Sequence, residues 1–125
     1  MPELRRPEKL TRGQRLRRRS DFLEVQERGR RVSGSSYLLL ALARPEASRE
    51  AGARLGITVS KKVGKASVRN QVKRWVRESY RRMSDLAPPG VDLVVVARAA
   101  AITSGLAGTS TELRGLLGRL HRSGR

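Results

Sequence analysis

The stretch from Ala66 to Met83 constrains the fold more than any other part of the chain. Val68, Val72, Trp75, Val76, Ser79, Tyr80 and Met83 recur at the three- and four-residue spacing that stacks side chains along one side of an α-helix. Arg69, Asn70, Lys73, Arg74, Arg77 and Arg81 fill the intervening positions, and at about 100° per residue they are expected on the opposite side. A helix with a single apolar stripe has to bury that stripe against a second layer of structure. Asp85 and the run Pro88-Pro89-Gly90 stop it.

The second layer is legible as strands. Tyr37 to Ala43 is a short apolar run set off by Gly34-Ser35-Ser36 and by Pro45, and it reads as a strand. Residues 44–53 follow as a loop. From Arg54 to Lys62 the pattern alternates, with Leu55, Ile57 and Val59 on one side and Gly56, Thr58, Ser60 and Lys62 on the other. Val91 to Ala97 is almost continuously apolar, as a central strand covered on both faces would be. A two-turn helix is expected to start with Ser20-Asp21 as its cap, with Glu24 near the third position, and to end at Gly29. A last helix is expected over Ser110–Leu120, with Leu113, Leu116, Leu117 and Leu120 as its apolar row. The order is helix, two or three strands, helix, strand, helix, which predicts an α+β fold, an α/β sandwich. The domain is expected to span residues 15–120, after a flexible basic arm at 1–14 and before a short flexible tail at 121–125.

Charge narrows the partners. The formal net charge is +17 over 125 residues, and it is concentrated in two blocks. Residues 1–20 hold eight basic and two acidic side chains, and residues 61–82 hold nine and one. Self-repulsion on that scale opposes compaction, so a polyanionic partner is the economical explanation. No apolar run approaches the roughly 20 residues of a membrane span, and the basic start lacks the apolar stretch of a secretory signal. Without cysteine there is no disulfide framework, thiolate metal site or sulfur nucleophile, which suits a cytoplasmic protein. The one histidine, His121, lies at the end of the chain, and no pair of carboxylates stands out as a metal cage or an acid–base couple. No catalytic residue and no metal ligand is therefore expected in this chain.

The basic block around the central helix departs from an ordinary solvated face. Glu78 is the sole acid between residues 61 and 82, where such faces usually interleave both signs. Lys61, Lys62 and Lys65 precede the helix, where its dipole and free N–H groups already favour phosphate. RNA and DNA both satisfy that pattern.

The run from Arg54 to Arg74, RLGITVSKKVGKASVRNQVKR, closely resembles the signature of the bacterial ribonuclease P protein family. A glycine-containing strand ends in a lysine pair, followed by a glycine, an Arg-Asn helix turn and a Lys-Arg pair. Arg15-Leu16, Asp21-Phe22, Val25 and Gly29 resemble that family's first helix, and Val94 to Arg98 resembles its last strand. The resemblance implies a four-stranded sheet with three helices and a left-handed β-α-β crossover. It implies the protein subunit of a ribonucleoprotein endonuclease that removes the 5′ leader of precursor tRNA, with the RNA subunit performing the catalysis and holding most of the Mg2+. Carried over residue by residue, it implies that Lys61, Lys65, Arg69, Asn70, Lys73, Arg74 and Arg77 dock on the catalytic RNA. Arg17, Phe22, Thr58, Ser60, Lys62 and Arg98 would line the groove for the single-stranded leader. The alternative reading for Phe22 is ordinary core packing, whereas Tyr37, Trp75 and Tyr80 read as core.

Three positions depart from the family pattern. Gln71 stands where an arginine is common, Gln26 where a second aromatic often follows the phenylalanine by one turn, and Leu40 where a tyrosine is frequent. Leader binding would then rest more on charge than on stacking. The competing expectation is a ribosomal or general RNA-binding protein with a similar sandwich.

Overall fold

The computed structural model describes residues 14–45 and 52–122. Its elements are α1 (Arg19–Arg28), β1 (Arg30–Ser33), β2 (Tyr37–Ala43), β3 (Arg54–Val59), α2 (Ala66–Arg82), β4 (Val91–Ala97) and α3 (Gly105–Arg122). Short 3-10 turns lie at Lys61–Val63, Ser84–Leu86 and Ala99–Thr103. The strands form one mixed sheet in the order β1-β2-β4-β3. β2 runs antiparallel to β1 and β4, while β3 is parallel to β4 and reaches it through α2. The inner strands are β2 and β4, and their near-absence of polar residues follows from cover on both faces: Tyr37 to Ala41 and Asp92 to Val95 are buried.

One face of the sheet carries the rows Tyr37–Ala97–Val59, Val32–Leu39–Val95–Ile57 and Ala41–Leu93–Leu55. α2 packs onto it with Val72, Val76 and Tyr80, joined by Met83 just past its end, and α3 with Leu113, Leu116, Leu117 and Leu120. The two helices touch through the Ser79 and Ser110 hydroxyls, 2.7 Å apart. Tyr37 and Tyr80 are core residues, and Trp75 packs against the core half-covered. Burial pushes the Tyr80 hydroxyl up to about 12, so it stays neutral in any ordinary buffer.

The other face carries the rows Arg31–Leu40–Val94–Gly56 and Ser33–Leu38–Val96–Thr58. Among the described residues α1 and the preceding Leu16 cover it, and their buried anchors are Val25 and Leu16. Leu16 also donates its N–H to the Leu55 carbonyl at 2.9 Å, beside a bridge between Arg15 and Leu55. That contact closes part of the outer edge of β3, which would otherwise present unpaired backbone.

Two polar clusters lock the sheet at its ends. Asp92 is buried and accepts hydrogen bonds from Arg44 at 2.8 Å and from Arg54 through two nitrogens at 2.7 Å each. Burial alone would raise the Asp92 carboxyl, but the hydrogen bonds from Arg54 and Arg44 outweigh it and hold the group below its ordinary range. Arg54 also reaches Asp21 on α1 at 3.8 Å, joining the two layers. At the opposite end the Glu112 carboxylate on α3 accepts the N–H groups of Ser36 and Tyr37, both at 2.9 Å, and the Tyr37 and Thr109 hydroxyls meet at 2.8 Å.

Several expectations need correction. α1 begins at Arg19 with Arg18 as its cap, and no side chain caps it, so Ser20 and Asp21 lie inside the first turn. Asp21 faces Arg54 instead, an ion pair that no local pattern announces. The strand begun at Arg54 ends at Val59, and Lys62 lies in the following 3-10 turn rather than on a strand face. α3 starts at Gly105, five residues before Ser110, and runs to Arg122, past the boundary placed at Leu120. The arm expected at 1–14 lies outside the described residues except for Gln14.

Candidate nucleic-acid interface

The first basic surface is built from the turn after β3 and from α2. Val63 is buried and anchors the turn, closed by the Val63 N–H on the Ser60 carbonyl at 3.1 Å, which leaves Lys61 and Lys62 exposed. Lys65 caps α2 with its backbone alone; no acid enters the helix's first turn and no side chain occupies its leading N–H groups. That end therefore combines helix dipole and ammonium charge, the combination that attracts phosphate. Asn70, Arg74 and Arg77 are exposed along the helix.

Arg69 and Lys73 are placed differently from the expectation. Both are half-buried, and Arg69 lies seven residues from the fully buried Val76, so the two share almost one side of the helix. The Arg69 Nε donates to the Gly64 carbonyl at 3.1 Å, tying the helix to the lysine turn. Ser79 and Trp75 face α3 and the core, so Arg69 and Lys73 occupy the flank away from α3, on the β3 side. The basic surface of α2 is thus a wrap from that flank round to Arg74. Near its end Glu78 pairs with Arg81 at 2.8 Å, and the Arg81 hydrogen bond holds the Glu78 carboxyl below its ordinary range.

The second surface is a cleft of about 440 Å³ between α1 and β3, lined by Arg17, Arg19, Phe22, Leu23, Gln26 and Thr58. It brings together Arg17, Phe22 and Thr58 of the expected leader set. Phe22 is half-buried, its ring lying over Gly56 on the sheet with its outer side toward the cleft. Thr58 reaches the same space because it shares the open row with Val96 and Leu38. Ser60 is exposed just past the strand, and Lys62 one turn further; neither lines the cleft.

Arg98 also lies off the cleft. It donates to the Gly34 carbonyl at 2.8 Å and to the Ser33 hydroxyl at 3.1 Å, clasping the β1–β2 turn at the far end of the open row. Sequence reasoning missed Arg19 and Leu23 as cleft residues. Leu23 is 45 % exposed on the side of α1 away from the buried Val25, and with Phe22 and Gln26 it lines the cleft.

Several acids are committed elsewhere. Asp92 faces two arginines, Glu24 pairs with Arg28 at 2.7 Å, and Glu112 caps backbone N–H groups. Among the described residues no three His, Asp or Glu side chains gather as a cage for a cation. Among the same residues no helix is long and apolar enough to cross a membrane.

A sheet closed by α2 and α3 on one face, with basic side chains wrapped round α2 and an arginine-flanked aromatic cleft on the other face, defines an α/β sandwich with two surfaces suited to a polyanion. The ribonuclease P family model matches residues 10–121, and the chain belongs to that family. It is 44 % identical over 115 residues to the ribonuclease P protein component of Desulfovibrio desulfuricans, covering 90 % of this chain and 87 % of that one. The Thermotoga maritima protein component is 42 % identical over 94 residues, covering 73 % and 74 % of the two chains. Among solved structures, the Thermotoga maritima RNase P protein superposes with a TM-score of 0.73 at 35 % identity, covering 84 % of this chain and 96 % of its own. The Staphylococcus aureus RNase P protein gives 0.75 at 26 %, covering 85 % and 94 %. The family match decides between this reading and a general RNA-binding module.

Proposed function

We propose that this chain binds the catalytic RNA of ribonuclease P through the Lys61–Lys65 turn and α2, and holds the 5′ leader of precursor tRNA in the cleft under α1. Lys61, Lys65, Arg69, Asn70, Lys73, Arg74 and Arg77 meet RNA phosphates. Arg17, Phe22 and Thr58, with Lys62, Ser60 and Arg98 further along the same strand of RNA, meet the leader. Mg2+ held mainly by RNA phosphates would supply the activation of water, and the chain's own part is to bind, orient and neutralise charge. Residues 1–14 add a basic arm to the 15–120 domain, and the protein works in the cytoplasm.

The observation that carries this reading is the half-buried Phe22 in a cleft flanked by Arg17 and Arg19, separate from the basic helix. Mature tRNA shares the folded body of its precursor, so discrimination has to come from the extra single strand. That strand offers phosphates and unpaired base faces, and this cleft offers arginines, a hydroxyl and one aromatic face. A base stacked on an aromatic contributes about 1–3 kcal/mol.

The test is holoenzyme affinity for precursors with leaders of increasing length, alongside cleavage assays of the protein alone and with its RNA. Affinity should rise with leader length and level off, Phe22→Ala should lose roughly fivefold to a hundredfold of that gain, and mature tRNA should be unaffected. Affinity independent of leader length would refute the cleft assignment, and cleavage by the protein alone would refute catalysis by RNA.

A further inference from the structure

Gly56 is buried in the middle of an edge strand, a position where most strands carry a side chain. A Cβ built there would stand 2.5 Å from both Cε1 and Cζ of Phe22 and 3.2 Å from the Leu16 Cβ. The ring therefore rests on the bare Cα, lower than any side chain at position 56 would allow. β3 cannot give way. It is registered on β4 along its whole length, and its outer edge is held by the Leu16 N–H on the Leu55 carbonyl. The ring can give way, because Phe22 has two rotatable bonds and open space above it in the cleft.

From this we infer that Gly56 is a positioning residue for the leader site: its missing side chain sets the depth of the Phe22 ring and so the floor of the cleft. The inference rests on the assignment of the cleft to the leader, and it assigns Gly56 a role through Phe22 rather than through contact with RNA. Any side chain at 56 lifts the ring into the space the leader would occupy. The stacking face then becomes an obstruction, while α2, on the other side of the sheet, is untouched.

Phe22 is the only phenylalanine in the chain, so biosynthetic 4-fluorophenylalanine gives a single fluorine resonance at this ring. The experiment compares the wild-type holoenzyme with Gly56→Ala, Phe22→Ala and the double variant. It reads the fluorine shift in the first two and the leader-length dependence of precursor affinity in all four. Gly56→Ala should move the resonance toward its unfolded-chain position and cut the leader-dependent gain by roughly three- to thirtyfold, part of one stacking contact. It should leave affinity for the catalytic RNA unchanged. In the Phe22→Ala background the same substitution should change leader dependence by less than about twofold, because the ring through which it acts is gone.

A resonance that stays in place in Gly56→Ala overturns the inference, whatever the leader does. An equal loss in the Phe22→Ala background also overturns it, since the effect then comes through the strand. A wild type without leader dependence strikes at the cleft assignment, while the fluorine shift still reports whether Gly56 seats the ring. If Gly56→Ala does not fold, adding Phe22→Leu removes the colliding ring edge. Recovery of the folded domain supports the seat, and failure to recover rejects it.

Discussion

Under α2 and α3, Leu39, Leu93, Val72 and Val76 are sealed from solvent completely. Under α1 the same sheet buries Leu38, Leu40, Val94 and Gly56, but Phe22 above it is half-buried and Leu23 stands 45 % exposed. The two faces divide the work. The doubly covered face supplies the apolar burial that holds a small, strongly charged domain together. The thinly covered face keeps apolar and aromatic surface accessible, which the proposed leader site requires and a well-packed core would remove.

The comparison breaks most sharply with substitutions on the closed face. Leu93→Ala removes a fully buried side chain from the central strand and should cost about 2–5 kcal/mol of folding stability. Leader dependence measured on the residual folded protein should stay near wild type. A loss below about 1 kcal/mol in chemical denaturation would show that the closed face does not carry the fold.

Asp92→Asn comes next. It removes the carboxylate charge that the buried Arg44 and Arg54 share, and breaking such a pair costs about 3 kcal/mol. The sign with pH follows from the lowered carboxyl of Asp92. Its stabilisation is present above the ordinary carboxylate range and is lost as pH falls through the depressed folded value. The gap between wild type and Asp92→Asn should therefore be widest near neutrality and narrow in acid. A gap independent of pH across denaturation curves from neutral to strongly acidic would assign the loss to packing.

On the outer helix, Arg74→Ala with Arg77→Ala should weaken catalytic-RNA binding roughly thirtyfold, from about 1 kcal/mol per charged contact. The slope of log affinity against log salt, about −4 to −5 for six phosphates, should become shallower by about two. An unchanged slope would remove this side of α2 from the interface. Arg69→Ala should have a further signature, because it also releases the Gly64 carbonyl: amide exchange in the 61–65 turn should quicken even without RNA.

The smallest effect is expected at Gln71, exposed beside the basic wrap. Gln71→Arg should leave RNA affinity unchanged or tighten it by no more than about threefold, one surface ion pair. A tenfold gain in the same titration would place the RNA further round the helix than Arg74.

α2 and β4 were legible because each is dictated by its own pattern: a stripe at helical spacing, and an unbroken apolar run that only a central strand explains. The alternation of Leu55, Ile57 and Val59 with Gly56 and Thr58 likewise set the right faces. It did not reveal that α1 lies over Gly56, since the evidence for that contact is the absence of a side chain. β1 was indistinct because Arg30-Arg31-Val32-Ser33 buries a single residue, and pairing with β2 makes it a strand. The early start of α3 was hidden by Gly105 and Gly108, poor helix formers held by tertiary contacts such as Thr109 with Tyr37. Of the leader set, Arg17, Phe22 and Thr58 converge because neighbouring elements carry them. Lys62 and Arg98 diverge because a turn and a backbone clasp redirect them.

The strand order has a consequence for synthesis. β4 lies between β2 and β3, so a nascent chain that has released only its first 90 residues holds a hairpin and a strand–helix pair without the strand that pairs with both. The open edge of β2 and the apolar side of α2 both wait for Val91 to Ala97, and the β1–β2 turn waits longer still, for Glu112. Such a protein closes late on the ribosome, when its central strand and last helix are both out, and until then its most aggregation-prone edges are the ones that will become its centre.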